Sequence, residues 1–443
     1  MAPQRQTSLI IRALLLTACG FAPPAPAAVI GTNPPALSLT ADRIATLPTA
    51  QQRAWTEYLA RSDEQLRADQ AFLQKELTAH KLQAAILPPS GRSTSSLPLD
   101  KPADWYGGSN ALRIADIIVS FQTPAGGWSK NLDMSLHPRA PGEAFAPDNR
   151  SRILGAADFD TPHDTNWNYV GTFDNDATMT QMRFLAKVIT AIGPDRSDAY
   201  RKAFLHGLGY IVAAQYPNGG WPQVWPLEGG YHDMITYNDD AVVNLLGLLR
   251  DVARGTNDFA FTPFSARMMA ANNLRNGVDC LLATQIVVGG HHTVWCQQHD
   301  PLTLQPASGR NYEMPSQVSS ESAEIMRFLM TLTRPSPQII ADVHTAAAWF
   351  EKTKITDMAW QRDDAGQRRL VHQPGSSPIW ARYYEIGTDR PIFGDRDKTI
   401  HDQLEEISPE RRRGYAWYRD SPKRMLEEYA VWSKTHPQAK PTN

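Results

Sequence analysis

Cysteine is scarce in this chain, with three in 443 residues, and only Cys280 and Cys296 lie beyond residue 28. So few exclude a disulfide-stapled scaffold, and the spacing, with no further Cys or well-placed His, carries no zinc signature. In an oxidising compartment the pair would bond, or would stay as two buried thiols; the residues leave both open. Charge of one sign is lacking as well. With 44 Lys plus Arg against 46 Asp plus Glu and no basic run, nothing offers the footprint that a nucleic-acid partner needs. Past the N-terminal segment no stretch approaches the roughly 18 uninterrupted apolar residues of a spanning helix, so no transmembrane segment is expected. Strand-like Val/Ile alternation is nearly absent, which disfavours a β architecture.

What is present begins with a leader pattern. Residues 1–28 carry Arg5 and Arg12, the apolar run Ala13 to Ala18, and a Pro/Ala stretch with small residues at Ala25 and Ala27. That is the order of a secretory leader. Leu16-Thr17-Ala18-Cys19-Gly20 also resembles a bacterial lipobox, in which Cys19 would be lipidated. Export is expected on either reading, giving a secreted or periplasmic protein or an outer-membrane lipoprotein held through Cys19.

Residues 29–100 read as a linker and one long helix, or two in line. Between Leu47 and Leu87, Trp55, Leu59, Leu66, Leu73 and Leu77 share one helical face, with Asp63, Glu64 and Arg67 between them. Residues 88 to 102, rich in Pro, Ser and Gly, form a second linker. Residues 101–443 form the main domain, where apolar segments with helical spacing recur at 109–121, 177–192, 198–214, 240–253, 264–284, 320–333, 338–352 and 422–434. The class is mainly α.

A weak internal repeat sharpens this. Phe121-Gln122 leads to Gly126-Gly127-Trp128, Ala214-Gln215 leads to Gly219-Gly220-Trp221, and a degenerate copy runs from Gln285 through Gly289-Gly290 to Trp295. Each helix stops in a Gly-rich turn followed by an indole that can wedge between helices. Repeated helical hairpins sharing one core close into an α/α barrel or toroid with long Gly/Trp-containing loops.

Two segments concentrate side-chain oxygen: Thr172-Phe173-Asp174-Asn175-Asp176-Ala177-Thr178 and Thr236-Tyr237-Asn238-Asp239-Asp240-Ala241-Val242. Each precedes an apolar helix. One Asp or Asn would suffice as an N-cap; if the hairpins sit side by side, the surplus oxygens converge and suit a hard cation such as Ca²⁺. Neither segment has the dense loop of an EF-hand. Lys130, Arg310 and Arg382 lie on predicted loops beside Gly and aromatic residues, a setting that fits either carboxylate recognition or structural ion pairs. Trp128, Trp221 and Trp380 near the same loops would stack on sugar rings or pack in the core.

Taken together, the segments Gly126-Gly-Trp-Ser-Lys130-Asn131, Thr172 to Thr178, Gln215-Tyr-Pro-Asn-Gly-Gly-Trp-Pro222, Ile235 to Ala241, Arg310-Asn-Tyr-Glu-Met-Pro-Ser316 and Trp380-Ala-Arg-Tyr-Tyr-Glu-Ile386 resemble, in order, the family ten polysaccharide lyases, the all-α pectate lyases. The resemblance covers about residues 105 to 420. It implies an (α/α) toroid, Ca²⁺ as cofactor, and polygalacturonate as a substrate cleaved by β-elimination. Position by position, Arg310 is similar to the family's catalytic base, and Asp174, Asn175 and Asp239 to its calcium ligands. Lys130 and Arg382 are similar to groups that hold substrate carboxylates; Asp240 would assist and Trp221 would contact sugar. The chain departs from the pattern at Asn311, where a small residue is usual, and at Gln317 to Ser320. A glycoside hydrolase on the same scaffold, using Glu313 or Glu228 with an Asp, and a non-catalytic uronate-binding protein are the competing readings. A monomer is expected.

Overall fold

The computed structural model describes residues 28–91, 96–155, 157–364, 366 and 368–438. The expected leader, with Cys19, lies outside them. Eleven α-helices are present among the described residues: α1 (Ala41–Ala45), α2 (Thr49–Ala79), α3 (Ser109–Ser120), α4 (Met179–Ile192), α5 (Asp198–Ala214), α6 (Ala241–Arg254), α7 (Phe264–Thr284), α8 (Ser319–Met330), α9 (Pro337–Thr353), α10 (Pro409–Gly414) and α11 (Ser421–Trp432). Strands are two to five residues long. The longest pair is an antiparallel hairpin of Met358–Arg362 with Arg368–His372, and one three-stranded sheet joins Val29–Thr32 to Thr399–His401 and Phe393–Gly394. The fold is therefore mainly α, and no described helix is long and apolar enough to cross a membrane.

The helices from α3 to α9 pack as two rows. In one row α4 packs on α6 and α6 on α8; in the other α3 packs on α5 and α5 on α7. The hairpins α4/α5, α6/α7 and α8/α9 tie the rows together. A single local device, repeated along the chain, ends the helices of the second row. Each leaves carbonyls in its last turn without a backbone donor from the helix, and an indole N–H from the connection that follows satisfies one of them: Trp128 to Ile118 O (2.7 Å), Trp221 to Ile211 O (2.9 Å), Trp295 to Leu281 O (2.7 Å) and, after the intervening hairpin, Trp380 to Phe350 O (2.9 Å). At the first three of these four ends a glutamine then reaches the next helix of the row. Gln122 donates to Ala203 O (2.9 Å), Gln215 to Asn273 O (3.0 Å) and Gln285 to Asp342 O (3.2 Å). Gly126 (φ 106°) and Gly219 (φ 92°) supply the turn. A Cβ at Gly219 would meet the Asn276 carbonyl oxygen at 2.1 Å, so no other residue fits.

This arrangement corrects the expectation for Trp221. Its side chain is 0 % exposed, so it has no face to offer a sugar. Trp221→Phe should lower the unfolding free energy by about 1–3 kcal/mol, because the Ile211 carbonyl is left unpaired, and Trp221→Ala by about 3–5 kcal/mol. Denaturant titration reads both. Turnover and KM per folded molecule should be unchanged in Trp221→Phe, whereas at a sugar-stacking position the smaller ring would raise KM.

The N-terminal helix α2 docks on the main body through Trp55 and Tyr58, which pack on Tyr216, and the Tyr58 hydroxyl donates to Ala214 O (3.0 Å). It stops at Ala79, short of the expected Leu87. Lys81 adopts φ 54°, and the Leu82 N–H returns to Leu77 O (2.9 Å) with the Lys81 N–H to Thr78 O (3.2 Å). That is a Schellman ending with lysine where glycine is usual, so the sequence carried no stop signal. Cys280 and Cys296 are separate buried thiols, which removes the disulfide reading.

Candidate active site

The two oxygen-rich segments become helix entrances of one design. In the first, Asn175 (φ 52°) and Asp176 (φ 60°) are both left-handed; in the second, Asp239 (φ 50°) and Asp240 (φ 59°) repeat it. Asn and Asp tolerate this conformation better than other side chains, which explains their use there. The preceding threonines are pinned identically, the Thr172 N–H to Trp128 O (2.9 Å) and the Thr236 N–H to Trp221 O (3.2 Å). The repeated Trp turns thus set the two entrances side by side.

They open on one cleft of about 350 Å³, which Lys130, Asp174, Asn175, Asp239 and Arg310 all line. Lys130 is held between the Asp174 carboxylate (Nζ to Oδ2, 2.6 Å) and the Tyr169 ring, 3.4 Å from its centroid. Burial works against its charge, but Asp174 outweighs it and holds the ammonium firmly protonated. Burial likewise works against the Asp174 charge, and Lys130 holds that carboxyl below its usual range. Asp239 is open to the cleft, yet crowding by the cleft walls, and then the charge of Asp174, push its carboxyl up to about 6.

Arg310 lines the same cleft. Its guanidinium pairs with Glu313, and Glu313 also accepts from the Arg310 N–H (2.9 Å) and the Tyr415 hydroxyl (2.8 Å). Gly309 allows this: a Cβ there would lie 2.4 Å from Gln298 Oε1 and 2.6 Å from Glu313 Oε2. Burial would lower the Arg310 pKa and raise that of Glu313, but their mutual attraction wins, keeping Arg310 charged and Glu313 down at about 2.

Residues 122–426 match the profile described as pectic acid lyase, well over half of the chain. The chain belongs to the pectic acid lyase family. Among solved structures it is similar to the family 10 polysaccharide lyase from Cellvibrio cellulosa, at 29 % identity and a TM-score of 0.62 over 79 % of this chain and 99 % of that one. A point mutant of the family 10 polysaccharide lyase from Cellvibrio cellulosa, in complex with trigalacturonic acid, matches at 28 % identity and a TM-score of 0.62, over 78 % of this chain and 99 % of that chain. No curated protein sequence matches. The chain is a polysaccharide lyase.

In this lyase the cleft holds five of the eight expected residues, and the other three sit elsewhere. Trp221 is in the core, as above. Asp240 does not line the cleft: it follows Asp239 around the turn and faces Glu321 and Glu324, where burial and those charges push its carboxyl up to about 7. Arg382 is 5 % exposed and lies behind the wall. Its Nη2 is taken by Glu321 (2.5 Å) and by Asn238 Oδ1 (3.1 Å), and Asn238 in turn donates to Asp239 (3.0 Å). Arg382 therefore positions Asp239 and does not reach a substrate in this arrangement. The buried carboxylate of Glu321, on α8, draws it there.

Asp160, Tyr231, Arg396, Arg411 and Tyr415 also line the lyase cleft, with the Tyr231 hydroxyl bonded to Asp160. Sequence reasoning missed them. The run Arg411-Arg412-Arg413 was a signal for one; Asp160, in a long loop, carried none. Asn311, the departure from the family pattern, ties two loops over the cleft: its Oδ1 accepts from the Phe159 N–H (2.9 Å) and its Nδ2 donates to Arg396 O (2.6 Å).

The residues fit a hard divalent cation. Asp174 Oδ1 is buried without a hydrogen-bond partner, and Asp174, Asn175 and Asp239 offer only oxygen donors toward one space. The set is two carboxylates and a carboxamide; no group of three or more His, Cys, Asp or Glu poised for a metal occurs among the described residues.

Proposed function

We propose that the chain is an exported, monomeric, calcium-dependent pectate lyase that cleaves α-1,4-polygalacturonate by β-elimination to 4,5-unsaturated oligogalacturonates, on an (α/α) toroid formed by its two helix rows. The observation that carries the reading is the convergence of two Asp-bearing helix entrances and Arg310 on a single cleft. The similar lyase with trigalacturonic acid bound supports a uronate substrate.

Elimination removes the C5 proton beside the uronate carboxylate and breaks the C4–O bond as negative charge develops on the carboxylate oxygens. Lys130, Arg396 and Arg411, held in place by Asp174 and Glu410, supply fixed hydrogen-bond donors for that charge and cost no reorganisation when it forms. Bound by Asp174, Asn175 and Asp239, Ca²⁺ would supply Lewis-acid polarisation of that carboxylate. Arg310 takes the C5 proton in this scheme, and Glu313 and Tyr312 fix its plane; the Arg310 Cζ lies 5.1 Å from the Tyr312 ring centroid.

A guanidinium must lose a proton before it can accept one, so activity should rise with pH. Glu313 opposes that loss. In Glu313→Gln the charge holding Arg310 protonated is gone, its pKa falls, and the alkaline limb of kcat/KM moves to lower pH. An unmoved limb would mean that Arg310 is not the titrating group.

Glycoside hydrolysis needs a protonated carboxylic acid at the leaving oxygen. Neither glutamate supplies it, since Glu313 is ionised by Arg310 and Glu228, though pushed up to about 8 by burial, does not line the cleft; Asp239, raised to about 6, is the cleft carboxyl nearest that state, so the product distinguishes the two readings. The direct assay is ultraviolet absorbance on polygalacturonate with calcium, since elimination leaves a conjugated C4–C5 double bond and hydrolysis leaves none. Binding with no rise in absorbance and no chain cleavage would leave only a uronate-binding protein.

A further inference from the structure

Beside the charged cleft lies a second cavity of about 480 Å³, floored by α2 on one side and by residues 144–150 and 164–170 on the other. Its volume is within the range of roughly 300–1,000 Å³ that ligand pockets occupy. Asn149 lines both cavities, and a row of carboxamides joins them: the Asn175 Nδ2 donates to Asn131 (3.5 Å), and the Asn131 Nδ2 to Asn149 (3.0 Å).

The chemistry changes across that row. The cleft is lined by four cations, Lys130, Arg310, Arg396 and Arg411, each paired with a carboxylate, and by Asp160, Asp174, Asp239 and Glu313. The second cavity has one, Arg150, and Asp148 takes it bidentately (2.8 and 2.7 Å). Its apolar floor is the buried cluster of Leu73, Leu77, Phe145, Trp167 and Val170. Above this floor stand Gln74, Gln83, Asn166 and Asn168, whose carboxamides meet no protein partner among the described residues; Asn168 is only 9 % exposed and still lines the cavity. The Asn168 carboxamide opens into the cavity, where water or a ligand completes its hydrogen bonds. Carboxamides over an apolar floor suit the hydroxyls and C–H face of a pyranose, and nothing there neutralises a carboxylate.

We propose that this groove is a distal subsite for uncharged pyranose units of the pectic chain, such as galacturonate carrying a methyl ester, so that the lyase takes substrates in which charged and uncharged units alternate in blocks. The inference rests on the pectate-lyase reading for the polymer's identity. Helix α2, which supplies Gln74, lies outside residues 122–426, so this half of the groove is an addition to the matched family region.

The test is binding, measured by calorimetry in chelator so that no turnover is needed. The ligands are a galacturonate hexamer, its methyl-esterified form, and a form whose carboxyls have been reduced to galactose. Gln74 and Asn166 are exposed, so their replacement leaves the core intact. Gln74→Ala/Asn166→Ala should weaken both uncharged hexamers about tenfold, two lost hydrogen bonds, and the acidic hexamer by less than about twofold. Gln74→Lys should shift preference toward the acidic hexamer. Loss on the esterified form alone would identify the ester as what is read; loss on both, the pyranose. Equal losses on all three, no loss on any, or no binding of uncharged hexamers to the unaltered protein overturns the proposal. Because absorbance is not used, a protein that binds as expected and cleaves nothing would refute the lyase reading while leaving the groove standing.

Discussion

Replacing Arg310 with alanine should lower kcat on polygalacturonate by about 10²–10⁴-fold, the contribution of a positioned proton acceptor. The substitution also strands Glu313, a buried carboxylate whose partner it removes, and an unpaired buried charge costs about 3–5 kcal/mol. Activity lost through unfolding would then imitate lost chemistry. Arg310→Ala/Glu313→Gln separates the two, because no charge is left alone, while the Tyr415 hydroxyl retains an oxygen to donate to. The double variant should fold with near-normal stability and remain as inactive as the single one. Arg310→Lys adds a second arm. An ammonium loses its proton at lower pH than a guanidinium, so any residual activity should show its alkaline limb displaced downward. Appreciable activity with an unchanged pH profile would remove Arg310 from the role of base and leave it a fixed cation.

How much of this was legible in the sequence depends on how local each cause is. Helices α3 to α9 are written in their own apolar spacing, and the Gln/Gly/Trp turns repeat because each solves the same problem, an orphan carbonyl at a helix end. The paired left-handed residues at Asn175-Asp176 and Asp239-Asp240 are legible for a similar reason, since few other side chains accept that backbone. What was misread depends on residues far away in the chain. Arg382 resembled a substrate clamp until Glu321, 61 residues earlier, took its guanidinium. Asn33, 2 % exposed, donates to the carbonyls of Arg310 and Asn311 and so anchors the Arg310 loop from the far N-terminal side. An isolated Asn in a Pro-containing linker gave no hint of that. Most of the short strands were missed because pairs of two to four residues, such as Val29–Thr32 with Thr399–His401, come from approach of distant loops and not from alternation; the hairpin of Met358–Arg362 with Arg368–His372 is local but too short and too charged to show an alternating pattern.

Chelation should abolish activity, and Asp174→Asn should lower kcat/KM at fixed calcium by about 10²–10³-fold, the loss expected when an ion worth several kcal/mol to the transition state is held poorly. Excess calcium should restore part of it. Asp176→Asn is the matched control: it sits two residues away, but its carboxylate is bonded to Asn244 and it does not line the cleft, so its effect should be small. Asp174 also pairs with Lys130, which means that activity alone cannot separate a lost metal ligand from a freed lysine. Calcium affinity can. A ligand must be deprotonated to bind, and the Asp239 carboxyl, raised to about 6, is half protonated at that pH without the ion. Affinity should therefore be flat above about pH 7 and fall toward tenfold per unit below about pH 6, with about half a proton released per ion bound near pH 6. Asp174→Asn removes the like charge that helps to raise Asp239, so its affinity should be weaker throughout while its inflection moves to lower pH. Weaker affinity with the inflection in place would mean that the two carboxylates do not share an ion, even if both line the cleft.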